Sequence, residues 1–194
     1  MSLRDEDELL HDPPEPTPST WQENLFFICT DDHSEHLMLC HIQRAPGLGF
    51  QEVQVVVAIG DRVVSSAMEG PYEASRMLPG LQVEPDEPWR RWRFRLEGSG
   101  VAGPGPLGFY GTLPGGGTAF GVDLTLESSL PVADFAEGLA AMVRGLRSDA
   151  SGPQMGDQQH YEQGGTWRGR LRVGDREVDT GGLFVRDHSW GIRS

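Results

Sequence analysis

Leu25-Phe26-Phe27-Ile28-Cys29, then Thr30-Asp31-Asp32-His33-Ser34-Glu35, then Leu37-Met38-Leu39-Cys40-His41-Ile42: two short apolar runs flank a polar turn, the pattern of an antiparallel hairpin. The same pattern repeats downstream. Val53 to Ile59 is closed by Gly60-Asp61 and followed by Arg62 to Ala67, a second hairpin with a tight connection. Trp89 to Glu97, Gly108 to Leu113 and Thr118 to Glu127 read as further strands, the last with Phe120, Val122, Leu124 and Leu126 on one side. Short strands at regular intervals predict a mainly β protein, a barrel or a sandwich.

One segment departs from this period. Val132, Phe135, Leu139, Met142, Val143 and Leu146 recur at helical spacing behind Pro131, which predicts a helix over Val132 to Arg147. A polar linker, Ser148 to Gln158, follows. Strands then resume at Tyr161, run through Thr166 to Val173, turn at Gly174-Asp175 and end at Trp190. Helix and linker therefore read as a boundary. The expected units are an acidic, proline-rich lead (1–19), a first β unit (20–130), the helix and linker (131–158) and the beginning of a second β unit (159–194). The lead is expected to be disordered or to lie along the surface.

Composition narrows the class of partner. The 26 Gly and 14 Pro are dispersed, as turn punctuation is in a many-stranded fold. A net charge of −13, with arginine supplying every basic side chain, argues against nucleic acid and anionic membranes as partners. Arg91, Arg93 and Arg95 alternate with Trp92, Phe94 and Leu96, so that basic cluster reads as the solvated face of a strand. No apolar run approaches the roughly 18 residues of a membrane helix, so membrane insertion is not expected. Nothing at the N-terminus resembles a signal peptide, which makes the cytoplasm the expected compartment and leaves Cys29 and Cys40 as small buried hydrophobes. His33, His36 and His41 with Asp31 and Asp32 fit no tight tetrahedral spacing, and Gly100 to Gly117 lacks the glycine spacing and the Lys-Ser/Thr pair of a phosphate loop. Neither a metal nor a cofactor is expected.

The end of the chain concentrates chemistry. In Gly181-Gly182-Leu183-Phe184-Val185-Arg186-Asp187-His188-Ser189-Trp190-Gly191, an extended backbone puts Asp187 and Ser189 on one face and His188 and Trp190 on the other. The paired glycines would permit a bend or bulge.

Three stretches suggest a family: Trp21-Gln22-Glu23-Asn24-Leu25-Phe26-Phe27, His160-Tyr161-Glu162-Gln163-Gly164-Gly165-Thr166-Trp167-Arg168-Gly169, and Arg186-Asp187-His188-Ser189-Trp190-Gly191. Together they resemble the two-domain lipocalin-like proteins related to hydroxyneurosporene synthase, the carotenoid 1,2-hydratase, and to the AttH-like group. The resemblance implies an antiparallel lipocalin-like barrel, one helix and the beginning of a second β-barrel. It also implies a large apolar ligand, isoprenoid, polyketide or steroid-like, and acid-initiated hydration, cyclisation or isomerisation. A complete second barrel would need strands beyond Ser194, from a longer chain or from a second copy recruited by an open C-terminal strand.

Protonating an alkene carbon requires an acid held dry and π faces for the cation. Asp187 would be that acid, with His188 orienting it or placing water, and Glu162 a second carboxylate beside the Tyr161 phenol. Trp190, Trp167, Trp21 and Tyr161 would line the ligand. Two alternatives stand beside this one. The protein could carry a hydrophobic small molecule without transforming it, or Asp187, His188 and Trp190 could be turn, core and hydrogen-bonding residues of a structural module.

Overall fold

The computed structural model of the protein describes residues 3–74, 77–103, 117–135 and 158–193. Its strands are β1 (Trp21–Asp31), β2 (His36–Ala45), β3 (Phe50–Ile59), β4 (Arg62–Pro71), β5 (Leu81–Glu87), β6 (Arg91–Gly103), β7 (Thr118–Ser128), β8 (Ala133–Asp134), β9 (Gln159–Val173) and β10 (Arg176–Ile192). They form one antiparallel sheet in the order β10-β1-β2-β3-β4-β6-β7-β9, and β9 pairs again with β10, so the sheet curves into a ring. β5 hangs on β6, and β8 on β9.

Period two dictates what the ring encloses. Along β1 the buried side chains are Trp21, Glu23, Leu25, Phe27 and Cys29, with their neighbours turned outward. β6 buries Trp92, Phe94 and Leu96, while Arg91, Arg93 and Arg95 face out toward Glu127, Asp86 and Asp123. Phe120, Val122, Leu124 and Leu126 of β7 are buried as their spacing predicts. Leu25, Phe27, Met38, Ile42 and Leu171 join them in one packed cluster, each large apolar side chain contributing about 1.5–3 kcal/mol on burial. The thiols of Cys29 and Cys40 are free and buried there, and burial raises both well above the usual thiol range.

The strands of both expected β units lie in one sheet. Residues 159–194, expected to open a second unit, supply β9 and β10, which pair with β7 and β1 and complete the same ring. β10 meets β1 along one edge and β9 along the other, and β9 also meets β7. From Gly182 to Trp190, the stretch expected to have an open edge, β10 is paired on both sides. The lead is not loose either. A short 3-10 helix, Asp5–Glu8, buries Asp7 and Glu8. The helix expected from Val132 to Arg147 and the strand expected from Gly108 to Leu113 fall mostly or wholly outside the described residues, and Ala133–Asp134 forms the short β8. β5 escapes the sequence reading because Pro85 interrupts its alternation, which an edge strand tolerates.

The glycine pair Gly181-Gly182 makes no bulge, since the register of β10 runs unbroken on both sides. It lets backbones approach. A Cβ on Gly182 would lie 2.1 Å from the Thr30 carbonyl oxygen of β1, and one on Gly181 2.5 Å from that of Trp167 in β9. Gly182→Ala should therefore destabilise the protein by about 1–3 kcal/mol in urea unfolding, as overpacking does. Gly117→Ala, where a Cβ meets nothing within 4 Å, should leave the midpoint unchanged.

Candidate functional site

The inside of the ring is apolar along most of its length and polar at one end. Following the inward positions, β1 passes from Phe27 and Leu25 to Glu23, β2 from Ile42 to Arg44, and β10 from Phe184 to Arg186 and His188. The register then sets Glu23 opposite Arg44, Gln163 opposite Arg186 and Tyr161 opposite His188. Two guanidiniums would be buried in a closed ring. Two carboxylates answer them, one from β1 and one from the lead.

The lead's contribution is Glu8. Its Oε1 accepts from Arg186 Nη2 and from the Tyr161 hydroxyl, both at 2.6 Å, and its Oε2 accepts from the Trp92 indole at 2.7 Å and the Trp89 backbone N–H at 2.9 Å. Arg186 also donates to Gln163 Oε1 at 2.6 Å and lies over the rings of Trp92 and Tyr161, 4.8 and 5.1 Å from their centroids. Gln163 is fixed in turn by the carbonyls of Trp89 and Leu130. Burial raises the Tyr161 hydroxyl above the ordinary phenol range, so it stays protonated.

Glu23 is the second centre. Arg44 donates to its Oε2, and its Oε1 takes the His11 backbone N–H at 2.9 Å, His11 Nδ1 at 2.9 Å and His188 Nε2 at 3.0 Å. Burial alone would raise the Glu23 carboxyl, but the hydrogen bonds from His11 and His188 and the charges of His188 and Arg44 outweigh it and bring it down to about 2. Burial lowers His188 against the pull of Glu23. His188 Nδ1 lies 3.1 Å from the Tyr161 hydroxyl, so one hydroxyl proton faces two acceptors, Glu8 and His188. Trp190 stacks on His11, with centroids 3.9 Å apart and planes at 10°.

Asp187 faces the other way, as the alternation of the terminal strand requires. With Gln22, Asn24, Phe26, His41, Gln43, Ser189 and Arg193 it lines a groove of about 520 Å³ on the outer face of β1, β2 and β10. Its carboxylate pairs with His160 Nε2, and Glu162 Oε1 lies 3.8 Å from the same nitrogen. The hydrogen bond to Asp187 raises His160 above its ordinary 6.5, against partial burial. Phe135 stacks on the His160 ring at 4.9 Å.

The expected site residues thus divide. Asp187 and Glu162 are on the outer groove side, while His188, Tyr161 and Trp190 belong to the inner network. Trp21 is buried at the strand start, and Trp167 registers with Gly182, its indole donating to the Thr30 carbonyl at 2.9 Å. Glu8, His11, Arg44, Arg186, His160 and Arg193 went unrecognised. A signal existed for two of these, Arg44 and Arg186: charges at the inward positions of β2 and β10, with the inward Glu23 of β1, mark a buried ion-pair set. Among the described residues two clusters could hold a metal, His11 with Glu23 and His188, and His160 with Glu162 and Asp187. His36 of the histidine-rich turn lies 3.5 Å from Asp31 instead.

A family model for a domain of unknown function, DUF7064, matches residues 4–194. The chain belongs to that family. The matched span includes the lead, in keeping with the place of Glu8 and His11 inside the ring end. No curated protein and no solved structure matches the chain.

Two outcomes follow from this geometry. Glu8→Gln leaves the Arg186 charge buried without a counterion and should cost about 3–5 kcal/mol in denaturant unfolding, whereas Glu8→Gln with Arg186→Met should recover most of it. The His160 imidazole, followed by NMR, should titrate above 6.5, and Asp187→Asn should bring its midpoint down. Because the folded value is raised, the stability due to this pair is full below pH 6.5 and is lost as pH rises through that midpoint.

Proposed function

We propose that the outer groove at Asp187 is a small-molecule site for an amphipathic ligand, an isoprenoid, polyketide or steroid-like skeleton bearing oxygen, and that Asp187 and His160 act on it as an acid–base pair. The observation that carries this reading is the Asp187–His160 hydrogen bond beside a groove of about 520 Å³. Phe26 gives the groove an apolar wall, Arg193 a cation for a carboxylate, and the amides of Gln22, Asn24 and Gln43 partners for hydroxyls. The ring interior is filled by side chains such as Phe27, Phe94 and Phe120, which moves the expected ligand from the inside of the ring to its outer face.

The open groove also narrows the chemistry. An unactivated alkene needs a dry acid, but a proton next to a carbonyl, or on a conjugated alkene, needs only a base and an acid within hydrogen-bond reach. Asp187 is the base and protonated His160 the acid in an isomerisation or hydration of such a substrate. Without proton transfer, the same lining describes a carrier.

Farnesoic acid, a conjugated isoprenoid acid, tests both. Its addition should shift the backbone NMR signals of Phe26, His41, Ser189 and Arg193, and Arg193→Gln should weaken binding several-fold. In D2O the protein should exchange the γ-protons of the ligand, and Asp187→Asn should abolish exchange while leaving binding nearly unchanged. Binding without exchange would select the carrier, and shifts absent from the groove would overturn the site.

A further inference from the structure

We propose that His11 Nδ1, Glu23 Oε1 and His188 Nε2 form a binding site for a first-row divalent cation of the Zn2+ type, which clasps the N-terminal lead to the ring. The three atoms come from three segments, the lead, β1 and β10, and lie within 4.8 Å of one another. Both histidine nitrogens converge on one oxygen, at 2.9 and 3.0 Å. Two donors bound to one ion at about 2.1 Å and the tetrahedral angle lie about 3.4 Å apart, so these atoms need to part by only a few tenths of an ångström to admit one. The same Oε1 also takes the His11 backbone N–H, so as pure hydrogen bonding it would serve three donors with two lone pairs.

What surrounds the three donors supports the assignment. A metal-binding imidazole characteristically has its other nitrogen held by an acceptor or hydroxyl, and a ligating carboxylate its other oxygen held by a donor. Glu23 Oε2 is held by Arg44, which is itself anchored on the Ala74 carbonyl at 2.7 Å. His188 Nδ1 meets the Tyr161 hydroxyl at 3.1 Å, and His11 Nε2 lies 3.8 Å from Asp7 Oδ1 with no hydrogen bond of its own. The rings are packed as well: Trp190 stacks on His11 and lies 4.9 Å from His188. Two imidazoles and one carboxylate form the N2O donor set found on catalytic Zn2+, with a further position open to water or a ligand group. The expectation of no metal rested on the turn histidines. His11 and His188 lie far apart in sequence, and only the fold brings them together.

The test uses the full chain, stripped with chelator and dialysed. Titration with Zn2+ followed by calorimetry should give one equivalent of saturable binding, Co2+ should develop visible d–d absorption, and Zn2+ should raise the Tm. His11→Ala removes a ligand at the ring mouth, and its folding can be confirmed by circular dichroism. It should lower Zn2+ affinity at least tenfold and abolish the Tm rise. Tyr161→Phe, which removes the partner of His188 Nδ1 together with a hydrogen bond to Glu8, should cost about 10–100-fold in affinity in a variant shown by circular dichroism to fold. His160→Gln, in the other cluster, should change neither readout. Absence of saturable binding, binding unaffected by His11→Ala, or binding lost in His160→Gln would each overturn the proposal.

Discussion

The arrangement of the polar ring end depends on the burial of Arg186. Its guanidinium is 1% exposed, fixed inside the ring by its inward position on β10, and a lone charge there would cost several kcal/mol. Glu8 removes that cost, and the lead has to enter the ring to do so. Once Glu8 is seated against Trp92, Tyr161 and the Trp89 N–H, His11 follows three residues later and meets Glu23. Glu23 then balances Arg44, so the ring end holds two carboxylates and two guanidiniums. A segment that looks like a solvated leader thereby becomes part of the interior.

The terminal strand divides its chemistry between two environments. His188 and Trp190 are turned into the inner network, where burial and hydrogen bonds fix their roles. Asp187 and Ser189 are turned to the outer groove, where Asp187 meets His160 within reach of solvent. One residue of register would exchange these faces, and the unbroken pairing of β10 with both β1 and β9 holds that register in place. The two clusters therefore share a strand but lie on its opposite faces.

Much of the ring was legible. The two hairpins, the inward stripe of Trp92, Phe94 and Leu96 and that of β7 follow from alternation alone, and so does the split between Asp187 and His188. Three features were not, each for a physical reason. Ring closure by β9 and β10 depends on which distant strands pair, and period two does not encode pairing partners. The lead's acidic composition is that of a solvated segment, and its burial depends on a cation, Arg186, presented 178 positions after Glu8 in the chain. His160 joins Asp187 only because β9 and β10 lie side by side, a relation invisible to spacing along the sequence.

Amide hydrogen exchange tests the central claim, that the lead belongs inside the ring, most directly. The His11 N–H donates to Glu23 and the Trp89 N–H to Glu8, so both should exchange as slowly as the neighbouring amides of β1 and β10, opening only with the ring. Exchange of both at the rate of an unprotected peptide, with β1 and β10 still protected, would show the lead lying outside and would contradict the account.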